Sequence, residues 1–320
     1  MANLLEKTRS WKKKAILARL ETMPGEDAQP TAADWIEARN VNLTPFDAET
    51  ADRNLEKPFF GNSGKALVGQ YAKLSFEVAL AGAGAPGAAP KFADLLLACA
   101  MAQTQQAGVS TVFNLVSENI PSISFYINVD GTKMMMVGSR GTFSFSIGAK
   151  AIPLFKFEFQ SAYLAPVGEA MPSVNMSGWP VEEAVTARNT APLILGGTGG
   201  VGGIALAYSQ LDIDIANQLA RINLPGPQAE VIITDRQSTG SLVVLAPEHA
   251  AFDPFAIAEA GVVQELSTTH GSAAGKRVQV DAKVRVIGVE FTDLEGALAY
   301  KLNIEPAPVA GNDELALTWL

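Results

Sequence analysis

The stretch GTFSFSIGAKAIPLFKFEFQSAYLAPV, residues 141–167, decides how this chain is read. Phe143, Phe145 and Ile147 alternate with Ser144 and Ser146. Beyond a turn at Gly148, Phe155, Phe157 and Phe159 alternate with Lys156 and Glu158. Alternation with a period of two puts an apolar face on a core and a polar face outward, so the stretch is two strands joined by a short turn. It holds no nucleophile with a base, no metal-ligand set and no phosphate loop.

Segments of the same kind lie on both sides. Toward the N-terminus, ARNVNLTPF (38–46) reads as a strand, followed by a long polar loop with LEKPFFGNSGKAL (55–67) and the strand AKLSFEVAL (72–80). A Gly/Ala/Pro linker leads to a helix, FADLLLACAMAQ (92–103), and then to the strands TVFNLV, SISFYINVD and KMMMVG. In the second half LAYSQLDIDIANQ (206–218) precedes a loop with LARINLPGPQ (219–228) and the strands EVIITDR and GSLVVLA. A helical segment FDPFAIAEAGVVQEL (252–266) and a hairpin over 276–309 complete it. Val278, Val280, Val284 and Val286 share a face of its first arm, and Leu298, Tyr300, Leu302 and Ile304 a face of its second.

The order strand, long loop, strand, helix, hairpin thus occurs twice. FADLLLA matches FDPFAIA, and QSAYLAPV matches NIEPAPV. Self-similarity over more than a hundred residues points to duplication. The expectation is a mainly β protein with short helices: two tandem β-sandwich or barrel domains over 31–171 and 172–320, preceded by an N-terminal arm over 1–30. PSVNMSGWPVEEAVTARNTAP (172–192) is the connector. Residues 1–22 fit an amphipathic helix with Leu4, Leu5, Trp11, Ile16, Leu17 and Leu20 offering apolar contacts. A frayed tail or a peripheral membrane helix fits this composition too; a docking arm for a neighbouring subunit is the preferred reading.

Charge is unevenly placed. Residues 1–21 carry six Lys/Arg against two Glu, +4, leaving 18 basic and 31 acidic residues, −13, for the remainder of a chain of net charge −9. An acidic body repels nucleic-acid phosphates, which disfavours a DNA reader but not a surface that lets DNA pass. The one cysteine, Cys99, sits among apolar neighbours, reads as a buried inert thiol and fits assembly in a reducing cytoplasm. The basic start lacks an apolar core and cleavage site, so no secretory leader is expected. No apolar run approaches the roughly 20 residues that span a bilayer, so no membrane partner is expected.

The tempting motifs fail on context. Gly197, Gly199 and Gly202 form a G-x-G-x-x-G, but the following IALAYSQLDIDI alternates as a strand, where a dinucleotide site needs a helix N-terminus. GNSGK (61–65) lacks the spacing and the Ser/Thr of a P-loop. His249 and His270, the only histidines, are each expected in a loop, with no Cys, His or acidic pattern at metal spacing and no nucleophile elbow. Acidic residues are plentiful, yet nothing singles out a carboxylate pair. No cofactor, metal or catalytic residue is expected.

These residues carry a family likeness. SISFYINVDGTKMMMVGSRGTFSFSIGAKAIPLFKFEFQSAYLAPV resembles the signature stretch of the tail tube proteins (major tail proteins) of long-tailed bacteriophages, with its DG…GxRGT, IPxxxFEF and YxAP. VNLTPFDAETADRNLEKPFFG, LSFEVALAGAGAPGAAPKFADLLLACAMAQT, EVIITDRQSTG and GNDELALTWL agree in order, so the likeness covers roughly residues 10–320, the first half more clearly than the second. The resemblance implies rings that stack into a hollow tube, with an inner wall shared between subunits. The genome passes through it without specific binding. It also implies tape measure and tail completion proteins as partners, and location in the virion tail after assembly in the host bacterial cytoplasm. If each half is one tube domain, three chains make a pseudo-six-fold ring; a homohexamer is the alternative. The loops around Leu55, Phe59 and Phe60, and around Leu219 and Leu224, carry apolar residues in polar, Pro/Gly-containing segments. Inter-ring contacts and packed surface loops both look like this. A β-sandwich binding or adhesion module, a β-rich hydrolase and another tail or head-completion component are the competing readings.

Overall fold

The computed structural model describes residues 8–176, 178–197, 203–225 and 229–320. The first half contributes β1 (Lys14–Leu20), β2 (Arg39–Asp52), β3 (Lys65–Ala79), the short helix α1 (Ala93–Leu97) and β4 (Met101–Gln106). There follow β5 (Ser110–Leu115), β6 (Ile123–Val129), β7 (Thr132–Gly148), β8 (Leu154–Ala162) and β9 (Val167–Gly168). The second half holds β10 (Leu193–Leu195), β11 (Ile204–Leu206), β12 (Tyr208–Asp214), β13 (Asn217–Asn223), β14 (Ala229–Arg236) and β15 (Thr239–Leu245). It ends with the helix α2 (Pro254–Ala260), β16 (Gln264–His270), β17 (Val278–Leu294), β18 (Ala297–Pro306) and β19 (Leu315–Trp319). The chain is mainly β with short helices: one large antiparallel sheet system and a separate two-stranded sheet, β13–β14.

The 141–167 hairpin forms as its alternation requires. Phe143 pairs with Phe157 and Phe145 with Phe155, and all four rings are buried. Its first arm is longer than expected, because KMMMVG and GTFSFSIG are one strand, β7. Gly138, φ +68°, sits where the β6–β7 register shifts, and β7 pairs with β6 up to Ser139 and with β8 from Arg140 onward. β17 does the same in the second half, pairing first with β16 and then with β18, with a bulge between Val286 and Gly288.

Strand pairing repeats. In the first half β2, β3, β8 and β7 neighbour one another in that order; in the second, β12, β15, β18 and β17 do so. β1 pairs with β6 as β10 pairs with β16. The two runs join edge to edge where β7 pairs with β12, from Ser144 opposite Asp214 to Gly148 opposite Gln210. Eight strands therefore lie side by side across both halves. β19 makes a second bridge, between β5 and β17, and Trp319 packs against Phe92 and Phe113 while its Nε1 donates to Ala81 O at 3.0 Å. Buried residues of both halves form one hydrophobic cluster.

Several local expectations are corrected. Residues 14–20, expected within an N-terminal helix, form β1: Ala15, Ile16, Leu17 and Ala18 are all buried, so both faces of the strand are covered. Within the expected arm, this segment is thus part of the sheet. Leu4 and Leu5 lie outside the described residues. The helix expected over 92–103 stops after one turn, because Ala100 takes φ +66° and Met101 opens β4. The helix expected over 252–266 ends at Gly261, φ +62°, with Asp253 Oδ1 capping its start by accepting from Phe255 N and Ala256 N. The loop expected around LARINLPGPQ is a hairpin: Leu219 lies in β13, opposite Ile233 of β14. The long loop expected between the strands at 38–46 and 72–80 spans only 53–64, because β2 runs on to Asp52 and β3 begins at Lys65.

Candidate assembly surface: a polar sheet face and two open edges

The eight-stranded run buries one face and presents the other. On β3 the residues between buried Leu74, Phe76 and Val78 are Ser75 and Glu77; on β12 Gln210, Asp212 and Asp214 alternate with buried Leu211 and Ile213. Register lines these polar residues up in rows across the strands. One row runs Glu77, Lys156, Ser144, Asp214, Thr239; the next runs Leu154, Ser146, Asp212, Ser241, Asn303, Gly288. Both cross the joint between the halves without a break.

Cations on this face are matched. Lys156 lies 2.6 Å from Glu158, Lys301 3.2 Å from Glu290, Lys73 3.4 Å from Asp47 and Arg285 3.6 Å from Glu305, and Arg39 pairs with Glu182. The hydrogen bond and charge of Glu158 raise the Lys156 pKa, and the hydrogen bonds from Lys301 and Asn303 hold the Glu290 carboxyl below its usual value, which favours the charged forms of Lys156 and Glu290. Three further carboxylates rest on neutral donors: Glu77 on Asn40, Asp212 on Gln210 and Ser241, and Asp214 on the Ala216 amide. The face carries excess negative charge.

At both ends of the run the backbone is open. Among the described residues β2 pairs only with β3, and β17 beyond Val286 pairs only with β18. An edge strand presents unpaired N–H and C=O groups that template another strand.

The hairpins β2–β3 and β13–β14 are clamped together. Arg221 stacks on Tyr71 at 3.5 Å from the ring centre and lies 2.5 Å from Glu49, while Asn223 Nδ2 donates to Val68 O at 3.0 Å. Two arginines fix β13–β14, Arg140 near its turn and Arg236 at its base. Arg140 Nη1 reaches Glu230 at 2.6 Å and Val231 O at 2.5 Å; Arg236 reaches Glu314 at 2.6 Å and Asn312 at 2.9 Å. These hairpins carry the apolar contact candidates. Leu55, Phe59 and Phe60 are exposed between β2 and β3, and Leu224 is exposed after β13; Leu219 is half-buried. Trp11 is exposed with Lys14 Nζ 3.4 Å from its ring centre. Ile16 and Leu17, expected beside it as contacts, are committed to the chain's own core.

The other chemistry-bearing residues lie apart. His270 is buried on β16 between Thr190 Oγ1, 2.8 Å from Nδ1, and Glu183 O, 3.1 Å from Nε2, and burial lowers its pKa. His249 lies beside Asp253 at 3.4 Å. Cys99 is fully buried, which pushes its thiol pKa up. Of the glycine motif, Gly199 and Gly202 lie outside the described residues, and the segment beyond it is β11 and β12, strands as expected. Among the described residues no group of three or more His, Cys, Asp or Glu is placed to hold a metal ion, and no helix is long and apolar enough to cross a membrane.

Sequence reasoning missed Phe291 and Phe255, exposed aromatics on β17 and α2 whose rings stand 5.6 Å apart. The alternation that would have revealed Phe291 is thrown out of phase by the bulge at Ile287. No family model matches the chain, and a search of curated proteins returned no match.

Proposed function

We propose that this chain is a structural protein that closes head to tail on copies of itself into rings, which stack into the hollow tail tube of a long-tailed bacteriophage. The observation that carries the reading is the eight-stranded run with an unpaired strand at each end. A sheet already joined once, repeat to repeat, is extended by the same kind of joint until it closes, and closure removes its edges. With two repeats per chain, three chains make a pseudo-six-fold ring. The polar face lines the bore, where matched cations and excess carboxylates leave phosphates nothing to hold and DNA stays mobile. The exposed tips at Leu55, Phe59, Phe60 and Leu224 suit contact with the adjacent ring. Tape measure and tail completion proteins would be the other partners, in the virion, after assembly in the bacterial cytoplasm.

The role is structural and includes no catalytic step. Negative-stain electron microscopy of the purified protein tests it: stacked rings or tubes are expected. Dispersed single chains at every concentration would overturn it.

A further inference from the structure

One residue pair breaks the internal symmetry. Register equates the two halves residue by residue: Phe145 opposite Phe155 corresponds to Phe291 opposite Tyr300, and Ser144 opposite Lys156 corresponds to Glu290 opposite Lys301. The rings agree too, at 5.8 Å for Phe145–Phe155 and 5.7 Å for Phe291–Tyr300. Phe92 stands 5.5 Å from Phe155, as Phe252 stands 6.2 Å from Tyr300. Yet Phe145 is 2% exposed and Phe291 64%. Phe145 is covered because β12 pairs against it, with Ile213 directly opposite. Among the described residues no strand lies against that edge of Phe291.

The counterpart of Ile213 is Leu43. Ile213 faces Gly240, which faces Ile304; Leu43 faces Leu74, which faces Phe159 at the corresponding place. Beside Leu43 runs an apolar groove of about 460 Å³, lined by Trp11, Val41, Leu43, Ile127, Val129 and Met134. A cavity of about 150 Å³ already accepts a benzene ring. Charge agrees as well. The same register sets Asp293 opposite Val41, whose carbonyl oxygen takes Lys14 Nζ at 3.4 Å.

Resting on the assembly reading above, we infer that the occupant of this groove is a second copy of this chain, with Phe291 inserted beside Leu43. β17 of one copy pairs antiparallel with β2 of the next in the register of the internal β7–β12 joint. Leu43 then lies opposite Phe291, Thr44 opposite Glu290 and Asn42 opposite Thr292, as Ile213, Asp214 and Asp212 lie opposite Phe145, Ser144 and Ser146. The contact is head to tail, since each chain has one such donor edge and one such acceptor groove.

Disulfide trapping tests the register. The double variant Thr44→Cys with Glu290→Cys, oxidised at assembling concentration, gives covalent multimers on a denaturing gel. Either single variant, and the out-of-register pair Asn40→Cys with Glu290→Cys, gives none. Phe291→Asp, at a position exposed in the lone chain, keeps the melting temperature of the unassembled protein and weakens self-association at least tenfold by sedimentation. Rings that form without the Thr44–Glu290 cross-link, or with Phe291→Asp associating normally, overturn this interface and leave the assembly reading standing. A chain that stays single throughout overturns both.

Discussion

At Gly141 a side chain has nowhere to go. A Cβ built there would stand 2.5 Å from Glu158 O and 2.6 Å from the Phe159 ring, and the oxygen belongs to a paired strand that cannot step aside. Gly141→Ala is therefore expected to cost about 1–3 kcal/mol by overpacking, measured by chemical denaturation. Gly168→Ala, where a Cβ meets nothing within 4 Å, should stay within about 0.5 kcal/mol. His270 sets a pH dependence. Burial favours its neutral form, so its folded pKa lies below the ordinary value of 6.5 and the unfolded chain binds the proton first as pH falls. The stability it contributes is complete above that ordinary value and is lost as pH drops through the folded pKa. Thermal melts between pH 7.5 and 5.5 should show the wild-type melting temperature falling and that of His270→Gln flatter; equal slopes would contradict the assignment. Both sites were only half legible in the sequence. The RGT stretch is legible as part of a family likeness, but nothing in it announces that Gly141 faces the Phe159 ring across the hairpin, and by sequence alone His270 reads as a loop residue because its partners Thr190 and Glu183 lie 80 and 87 residues away.

Among the elements, the β13–β14 hairpin depends most on long-range ties. It forms a sheet of its own, and Arg140 from β7 fastens its turn end through Glu230 and Val231 O while also donating from Nε to Ile120 O at 3.2 Å. Arg140→Met leaves two carbonyls without their donor, at an expected cost of about 1–3 kcal/mol; Glu230 remains solvated enough to add little. Hydrogen exchange should then quicken across 217–223 and 229–236 and stay unchanged in β16. Uniform quickening would mean the arginine supports the whole core. Strands with clean alternation, such as β8 and β12, were readable because one face is buried and the other wet. β1 was not: four consecutive buried residues in a strand covered on both faces look like a helix stripe when the neighbours are unknown. Both helices were drawn too long, because Ala100 and Gly261 end them through positive φ, which an apolar pattern does not register at Ala100.

Across the whole molecule, a repeated order of elements is legible in the sequence, and the strand pairings of the two halves follow the same order. What a single chain's sequence does not carry is where the two runs meet. The β7–β12 joint pairs residues more than sixty positions apart and makes one sheet of two repeats. The same joint gives the proposed ring its logic: what the first repeat receives from the second, the second lacks and a neighbouring copy supplies. Native mass spectrometry of freshly assembled protein tests that most directly, by counting chains per closed ring. The account predicts a smallest closed species of three chains of 33.7 kDa each, with larger species in steps of three. A smallest ring of six chains, or a mass fixed at 33.7 kDa at all concentrations, would contradict it.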